Sequence, residues 1–354
     1  MAHGPDQLGP ALLCVLGRLL KQRVLKLPNR VLVASAALLG GVGVVLATHQ
    51  QRASEVWADL TAVPVSCLAA AGLFVLCQLG FQTLRLWAIM PQGATPTLGR
   101  TAYAFSIGEW FNIFAPARAG DALKVVLIHR GAGKSPISLP KATGVVLADK
   151  LVDAASLIVL CTATGLLTLV GAEARAKRPP LGLAVSAAGV LLLLLLGVRW
   201  ARPEWFGWLI RLRRELVRGL SALTRPVKLL GSIASSFGAW AAEIVAVRVL
   251  CGGLGFSPSP AEIVLALVVL NLAISVPVSV ANVGVYEAAL AFGLGQAGLP
   301  LPSAVAIATL HHALELFGTN LVAAGCWLAV RRGGGADPVS DPQSAIVGET
   351  GSAT

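Results

Sequence analysis

Charge is scarce in this chain. Asp, Glu, Lys and Arg together make up 13% of its 354 residues, against 56% hydrophobic residues and a mean hydropathy of +0.76. A soluble fold of that length has no interior large enough for so much apolar surface, so lipid is the expected solvent. Short paired cysteine spacings are missing too. Cys14, Cys67, Cys77, Cys161, Cys251 and Cys326 fall within or beside apolar runs and read as small buried hydrophobes rather than metal ligands or a disulfide framework. No nucleotide or metal signature of useful specificity is present, so neither a cofactor nor a metal is expected, and nucleic acid is not an expected partner.

What is present is a set of long apolar runs with the charges gathered between them, as spanning helices of about 20 residues require. The apolar stretch at 11–20 precedes Lys21, Arg23, Lys26 and Arg30 instead of following them, which is the reverse of a cleaved signal. Residues 1–30 therefore read as a basic interfacial segment, 31–332 as one transmembrane domain, and the Gly/Pro/Ser-rich 333–354 as a disordered tail.

Within that domain, apolar helices are expected at about 31–48, 62–89, 141–169, 181–199, 232–252 and 302–330. Two further apolar regions, about 101–130 and 261–296, are interrupted near Pro116 to Gly120 and near Pro277 to Gly284. The piece after each break spans roughly half a bilayer core at about 1.5 Å per residue. Each region thus reads as a broken or re-entrant hairpin, a form tolerated in lipid only where its irregular turn is buried in protein or lines a wet cavity.

Cation placement orients these segments. The basic N-terminal segment, Lys124 to Lys141, the arginine-rich loop at about 199–228, and Arg331 with Arg332 belong inside under the rule that cytoplasmic loops carry the excess of Lys and Arg. Three helices separate the hairpins, so the two approach the midplane from opposite faces. The expected fold is an all-α integral membrane protein of six spanning helices plus two oppositely oriented hairpins forming an inverted repeat, an architecture shared by many secondary transporters.

The candidate residues lie at the breaks and in the helices that follow them. After Pro116, the run Arg118, Gly120 and Asp121 reads as a tight turn and helix start whose free N–H groups suit a phosphate, with Arg118 adding a bidentate contact. The alternative is architectural, with Asp121 capping the half-helix and Arg118 paired to an acid. Lys124, one turn on, reads as a snorkelling residue.

Asp149 and Asp153 share a helix face and Lys150 is placed to pair with Asp153, leaving one acid that needs Arg118, a proton or a cation. The second break supplies Asn282, Gly284 and Glu287, with Glu287 open to a binding role or to a purely dipole-complementing one. His311 and Glu315 also share a face and form a candidate proton relay. Glu243 reads as paired within the bundle near Trp240 and Arg248, and Gln78, Gln82 and Arg85 as a polar stripe that lines the same cavity or exits to the cytoplasm.

In order, Pro116-Ala-Arg118-Ala-Gly120-Asp121 with Lys124, then Asp149-Lys150-Leu-Val-Asp153, then Pro277 to Gly284-Val-Tyr-Glu287 resembles the flippase-like membrane family typified by the transmembrane region of lysylphosphatidylglycerol synthases. The likeness covers roughly residues 30–330. Members of that family typically show Pro-x-Arg-x-Gly-Glu, then Glu-Arg-x-x-Asp, then a Gly-rich turn ending in Glu. Here Asp121, Asp149 and Lys150 take the corresponding acidic and basic places, and Ala281-Asn282 replaces part of the Gly-rich turn.

The resemblance implies a multi-pass protein of the cell (inner) membrane that handles a lipid with a charged or glycosylated headgroup, and the cation placement puts both termini in the cytoplasm. Its expected partner is a phospholipid, glycolipid or polyprenyl phosphate, and flippase or scramblase action is the leading expectation. A transferase embedded in the membrane is the first alternative, with Asp149 or Asp153 as base or metal ligand. An accessory scaffold of a lipid- or glycan-modifying enzyme is the second, docking through the arginine-rich loop near Arg211 and Arg218.

Overall fold

The computed structural model describes residues 50–90, 97–114, 119–131, 137–171, 226–275 and 280–332. The expected helices at 31–48 and 181–199, the N-terminal segment, the arginine-rich loop, the C-terminal tail, Arg118, Pro116 and Pro277 lie outside the described residues.

Every described element is helical. In chain order these are α1 (Gln50–Ala62), α2 (Val65–Ile89), α3 (Leu98–Phe114), α4 (Ala119–Gly131), α5 (Leu139–Gly171), α6 (Pro226–Gly253), α7 (Pro260–Ile274), a 3₁₀ turn (Val280–Asn282), α8 (Val285–Gln296) and α9 (Leu301–Arg332). α2 and α6 are long and apolar enough to cross a membrane. α5 and α9 are longer still but carry ionisable residues in their interiors.

The principal packing pair is α2 with α6. The buried positions of α2 include Ala71, Val75, Gln78, Leu79, Arg85, Leu86 and Ile89, a 3-and-4 spacing that keeps one stripe inward. Its outward residues Leu73, Leu84 and Trp87 are exposed apolar side chains, as a lipid-facing surface permits. Phe81 lies directly on Gly238 of α6, where even a methyl group would meet its ring at 2.9 Å.

α2 runs between two cores. One gathers its first half with α6, α7, α8 and the start of α9, through Val75, Leu250, Leu267, Leu290 and Ile307 among others. The other gathers its second half with α3, α4 and α5, through Leu86, Phe105, Ile128 and Val145. Each broken helical pair therefore has its own core, and α9 packs against both halves, touching α8, α3, α1 and α2. Ser303 of α9 donates to Asp59 of α1 at 2.7 Å, and Trp110 of α3 donates to Asn320 of α9 at 3.0 Å.

The two breaks fall where the apolar runs are interrupted. α3 stops at Phe114 and α4 starts at Ala119; α7 stops at Ile274 and α8 starts at Val285. Both pairs pack closely at glycine. A Cβ on Gly120 would sit 1.9 Å from the Gly108 carbonyl oxygen, and one on Gly293 would sit 2.5 Å from the Ala266 Cα. α7 is started by Ser259, whose hydroxyl accepts from the Glu262 N–H while Glu262 returns a bond to the Ser259 N–H, so the acid at the mouth of this hairpin is a cap.

The cysteines are unpaired among the described residues. Cys251 is fully buried, but Cys77 is exposed, which corrects the expectation of uniform burial: on α2 it falls on the outward face, two residues from Val75.

Candidate functional site

The helices bring the ionisable residues of the apolar runs into adjoining clusters. The first sits where α3 and α4 cross. Lys124 is 1% exposed and reaches across the Gly108 gap to form an ion pair with Glu109, while its Nζ lies 3.0 Å from Asp121 Oδ1 and 4.9 Å from the Phe105 ring centre. Asn112 donates to both acids, at 3.2 Å to Glu109 and 3.4 Å to Asp121. Lys150 arrives from α5, 3.7 Å from Glu109 and 3.6 Å from Asp121.

Two expectations are corrected here. Lys124 does not snorkel, because Glu109 and Asp121 hold its ammonium inside the hairpin. Lys150 does not pair with Asp153, because Arg85 holds Asp153 and Lys150 is turned to Glu109 and Asp121 on the α3–α4 side. Glu109 itself escaped the sequence reading; its signal is a lone acid in an otherwise apolar helix.

The second cluster uses a neighbouring face of α5. Arg85 of α2 donates Nε to Asp149 Oδ1 at 2.7 Å and Nη2 to Asp149 Oδ2 at 3.5 Å, while Nη1 pairs with Asp153 and donates to Ser236 of α6 at 3.2 Å. Arg85 is 2% exposed, so the α2 stripe lines the interior. Its guanidinium is the cation that the aspartates of α5 require, and its rigid fork bridges both.

The third cluster is built on the second break. Ala281 (φ 53°) and Asn282 (φ 55°) are both left-handed, and Gly284 (φ 86°) follows. These are the positions where the resembling family carries a Gly-rich turn, and the conformation explains why glycine suits them.

Glu287, in the first turn of α8, accepts from the Gly284 N–H through Oε2 at 2.7 Å, and its Oε1 lies 2.7 Å from His312 Nδ1 of α9. Tyr286 stacks on His312 with centroids 4.1 Å apart, and its hydroxyl lies 2.7 Å from His311 Nδ1. Because alanine resists the left-handed region by roughly 1–2 kcal/mol, Ala281→Gly is expected to stabilise the protein by about 1 kcal/mol, offset in part by the freer unfolded chain. Thermal unfolding in detergent reads this; a lower Tm than wild type would reject the strained turn.

The last cluster holds Gln78 of α2, Glu243 of α6 and Glu315 of α9. Gln78 Nε2 donates to Glu243 Oε2 at 3.2 Å and the amide also borders Glu315. Arg248, expected near Glu243, instead donates to the Pro258 carbonyl at 2.8 Å. No hydrogen bond joins His311 to Glu315 among the described residues; His311 uses Nδ1 on Tyr286.

These clusters adjoin. Glu315 feels the charge of Glu109, Glu243 that of Asp153, and Tyr286 that of Glu243, Glu287 and Glu315. The 3₁₀ turn of the second break packs against α3 of the first hairpin. Of the expected site residues, Gly120, Asp121, Lys150, Asp149, Asp153, Glu287, His311 and Glu315 therefore fall in one connected interior region.

The described residues form a helical bundle with broken helices and buried ion pairs, and two of its helices are long and apolar enough to cross a membrane. The chain belongs to the family described as the lysylphosphatidylglycerol synthase TM region, whose profile matches residues 31–323. No curated protein and no solved structure matches it significantly.

Proposed function

We propose that this protein is a flippase- or scramblase-like lipid transporter, whose cargo headgroup enters between the two broken hairpins. In this reading six helices span the cell (inner) membrane with both termini cytoplasmic, and the hairpins form an inverted repeat. The observation that carries it is the contact between the 3₁₀ turn of the second break and α3 of the first hairpin, which joins the two hairpins in the polar interior of an apolar bundle. Membrane transporters bind substrate at such meeting points.

Each residue then has a role. Arg118 and the start of α4 bind the phosphate of a phospholipid, glycolipid or polyprenyl phosphate, in competition with Asp121. Lys150, partly accessible and shared between Glu109 and Asp121, exchanges partners as the headgroup arrives. The aspartates on Arg85 anchor α5 to α2, and Asn282, Gly284 and Glu287 form the opposite wall.

The test is native mass spectrometry of gently purified wild type beside Arg118→Ala, joined to dithionite quenching of fluorescent phosphatidylglycerol in proteoliposomes. Wild type is expected to retain a defined lipid that the variant releases, and to move the probe faster than protein-free vesicles. Retention of a protein subunit with no selective lipid and no probe movement would sink the reading in favour of a scaffold.

A further inference from the structure

Most buried acids in this bundle have a cation or a cap. Asp149 and Asp153 share Arg85, Glu109 and Asp121 share Lys124 and Lys150, and Glu287 is held by the Gly284 N–H and His312. Glu243 and Glu315 differ: among the described residues neither has an ion-pair partner, Glu243 lies within reach of the charge of Glu315, and the Gln78 amide lies between them. Glu243 is 7% exposed, and Glu315 Oε1 is sealed from solvent.

Among the described residues the surroundings of the pair offer the Gln78 amide as a donor and no ion-pair partner. α2 presents Gln78, and Arg85 beyond it is committed to the aspartates of α5. α5 presents Asp153, α3 presents Glu109, and α8 presents Tyr286 and Glu287. α9 adds His311 and His312, which are bonded to Tyr286 and Glu287. Arg248 of α6 is turned to the Pro258 carbonyl, and Glu262 of α7 is used in its own cap. Two bare carboxylates here would repel with little screening, and one bound proton removes the conflict.

Independent of charge, hydrogens are missing from this cluster. Gln78 Oε1, on a side chain 5% exposed, and Glu315 Oε1 are both enclosed acceptors with no donor among the described residues. A hydroxyl hydrogen on the Glu315 carboxyl supplies that donor. His311 Nε2, on a fully buried ring one turn before Glu315, is likewise unpartnered. Among the described residues no group of three or more His, Cys, Asp or Glu is placed to hold a metal ion.

We infer that Glu243 and Glu315 form a proton-carrying site that couples lipid movement to the proton gradient, a role that rests on the transport reading above. The proton is taken from water on one face and released to water on the other as α6 and α9 move; only O–H bonds are made and broken. α9 contacts both hairpins, so a change of charge on Glu315 is felt by each.

The site and the coupling are tested separately. In nanodiscs at neutral pH, infrared spectra of wild type are expected to show a neutral-carboxyl stretch that moves on ¹³C-glutamate labelling and is lost in Glu243→Gln/Glu315→Gln. Gln78→Leu, which leaves both carboxyls in place, is expected to shift that band. A spectrum with no glutamic-acid band, or a band intact in the double variant, overturns the site.

In proteoliposomes carrying fluorescent phosphatidylglycerol, a gradient of about one pH unit is expected to shift the steady-state distribution about tenfold for one proton per lipid. The double variant should show no shift. Probe movement by wild type that ignores the gradient overturns the coupling. If wild type moves no probe, the transport reading fails, and the infrared band still decides whether the pair holds a proton.

Discussion

Arg85→Ala is expected to destabilise the protein by about 3–5 kcal/mol, because it leaves Asp149 and Asp153 buried without their cation. The cost comes from stranding the acids more than from losing a contact. Asp149 is 3% exposed and has no route to water, whereas Asp153, at 30%, recovers part of its hydration. Arg85→Lys should fall between alanine and wild type, since a point ammonium cannot span two carboxylates and Ser236 together. Thermal unfolding of the detergent-purified protein measures the series. An alanine variant as stable as wild type would mean that the α2–α5–α6 junction is not held by this ion pair.

Lys124→Ala is expected to cost a similar amount, again about 3–5 kcal/mol, and to cost more than Lys150→Ala. Both lysines face Glu109 and Asp121, but Lys124 is 1% exposed and Lys150 is 32% exposed, so only the first is fully desolvated. Lys124→Met keeps the aliphatic stem that fills the gap at Gly108 and removes only the charge. If methionine restores stability, packing dominates; if it falls with alanine, charge dominates. Equal losses for Lys124→Ala and Lys150→Ala would contradict the burial difference on which the ranking rests.

Much of the scaffold was legible because lipid imposes a coarse pattern. The helix expected at 62–89 forms as Val65–Ile89, and both breaks fall near the expected proline and glycine positions, where the backbone cannot continue a helix unaided. Asp149 and Asp153 were recognisable as a pair because four residues is one helical turn. Their partner was not, since the rotation of one helix against another leaves no trace in either helix alone. Gln78 and Arg85, two turns apart on one face, pointed to a polar stripe but not to its occupant.

The errors share that cause. Lys150 and Asp153 are neighbours in sequence spacing, yet Lys150 serves a different helix. Lys124 had the length to reach water, and only the Gly108–Gly120 crossing, which places Glu109 beside it, explains why it turns inward. The left-handed pair at Ala281 and Asn282 was visible only as a departure from glycine, because the rest of the turn accommodates a conformation that alanine disfavours.

Glu287 has one further consequence. Its two oxygens are shared between neighbours in different parts of the fold, one gripping the turn at Gly284 and the other meeting His312 on α9. A carboxylate used this way is a rivet, and α9 cannot slide by a helical turn, about 5.4 Å, without unfastening it. Loosening that rivet would also free the Gly284 N–H at the N-cap of α8, so that motion of α9 and the opening of an anion-receptive helix end become a single event.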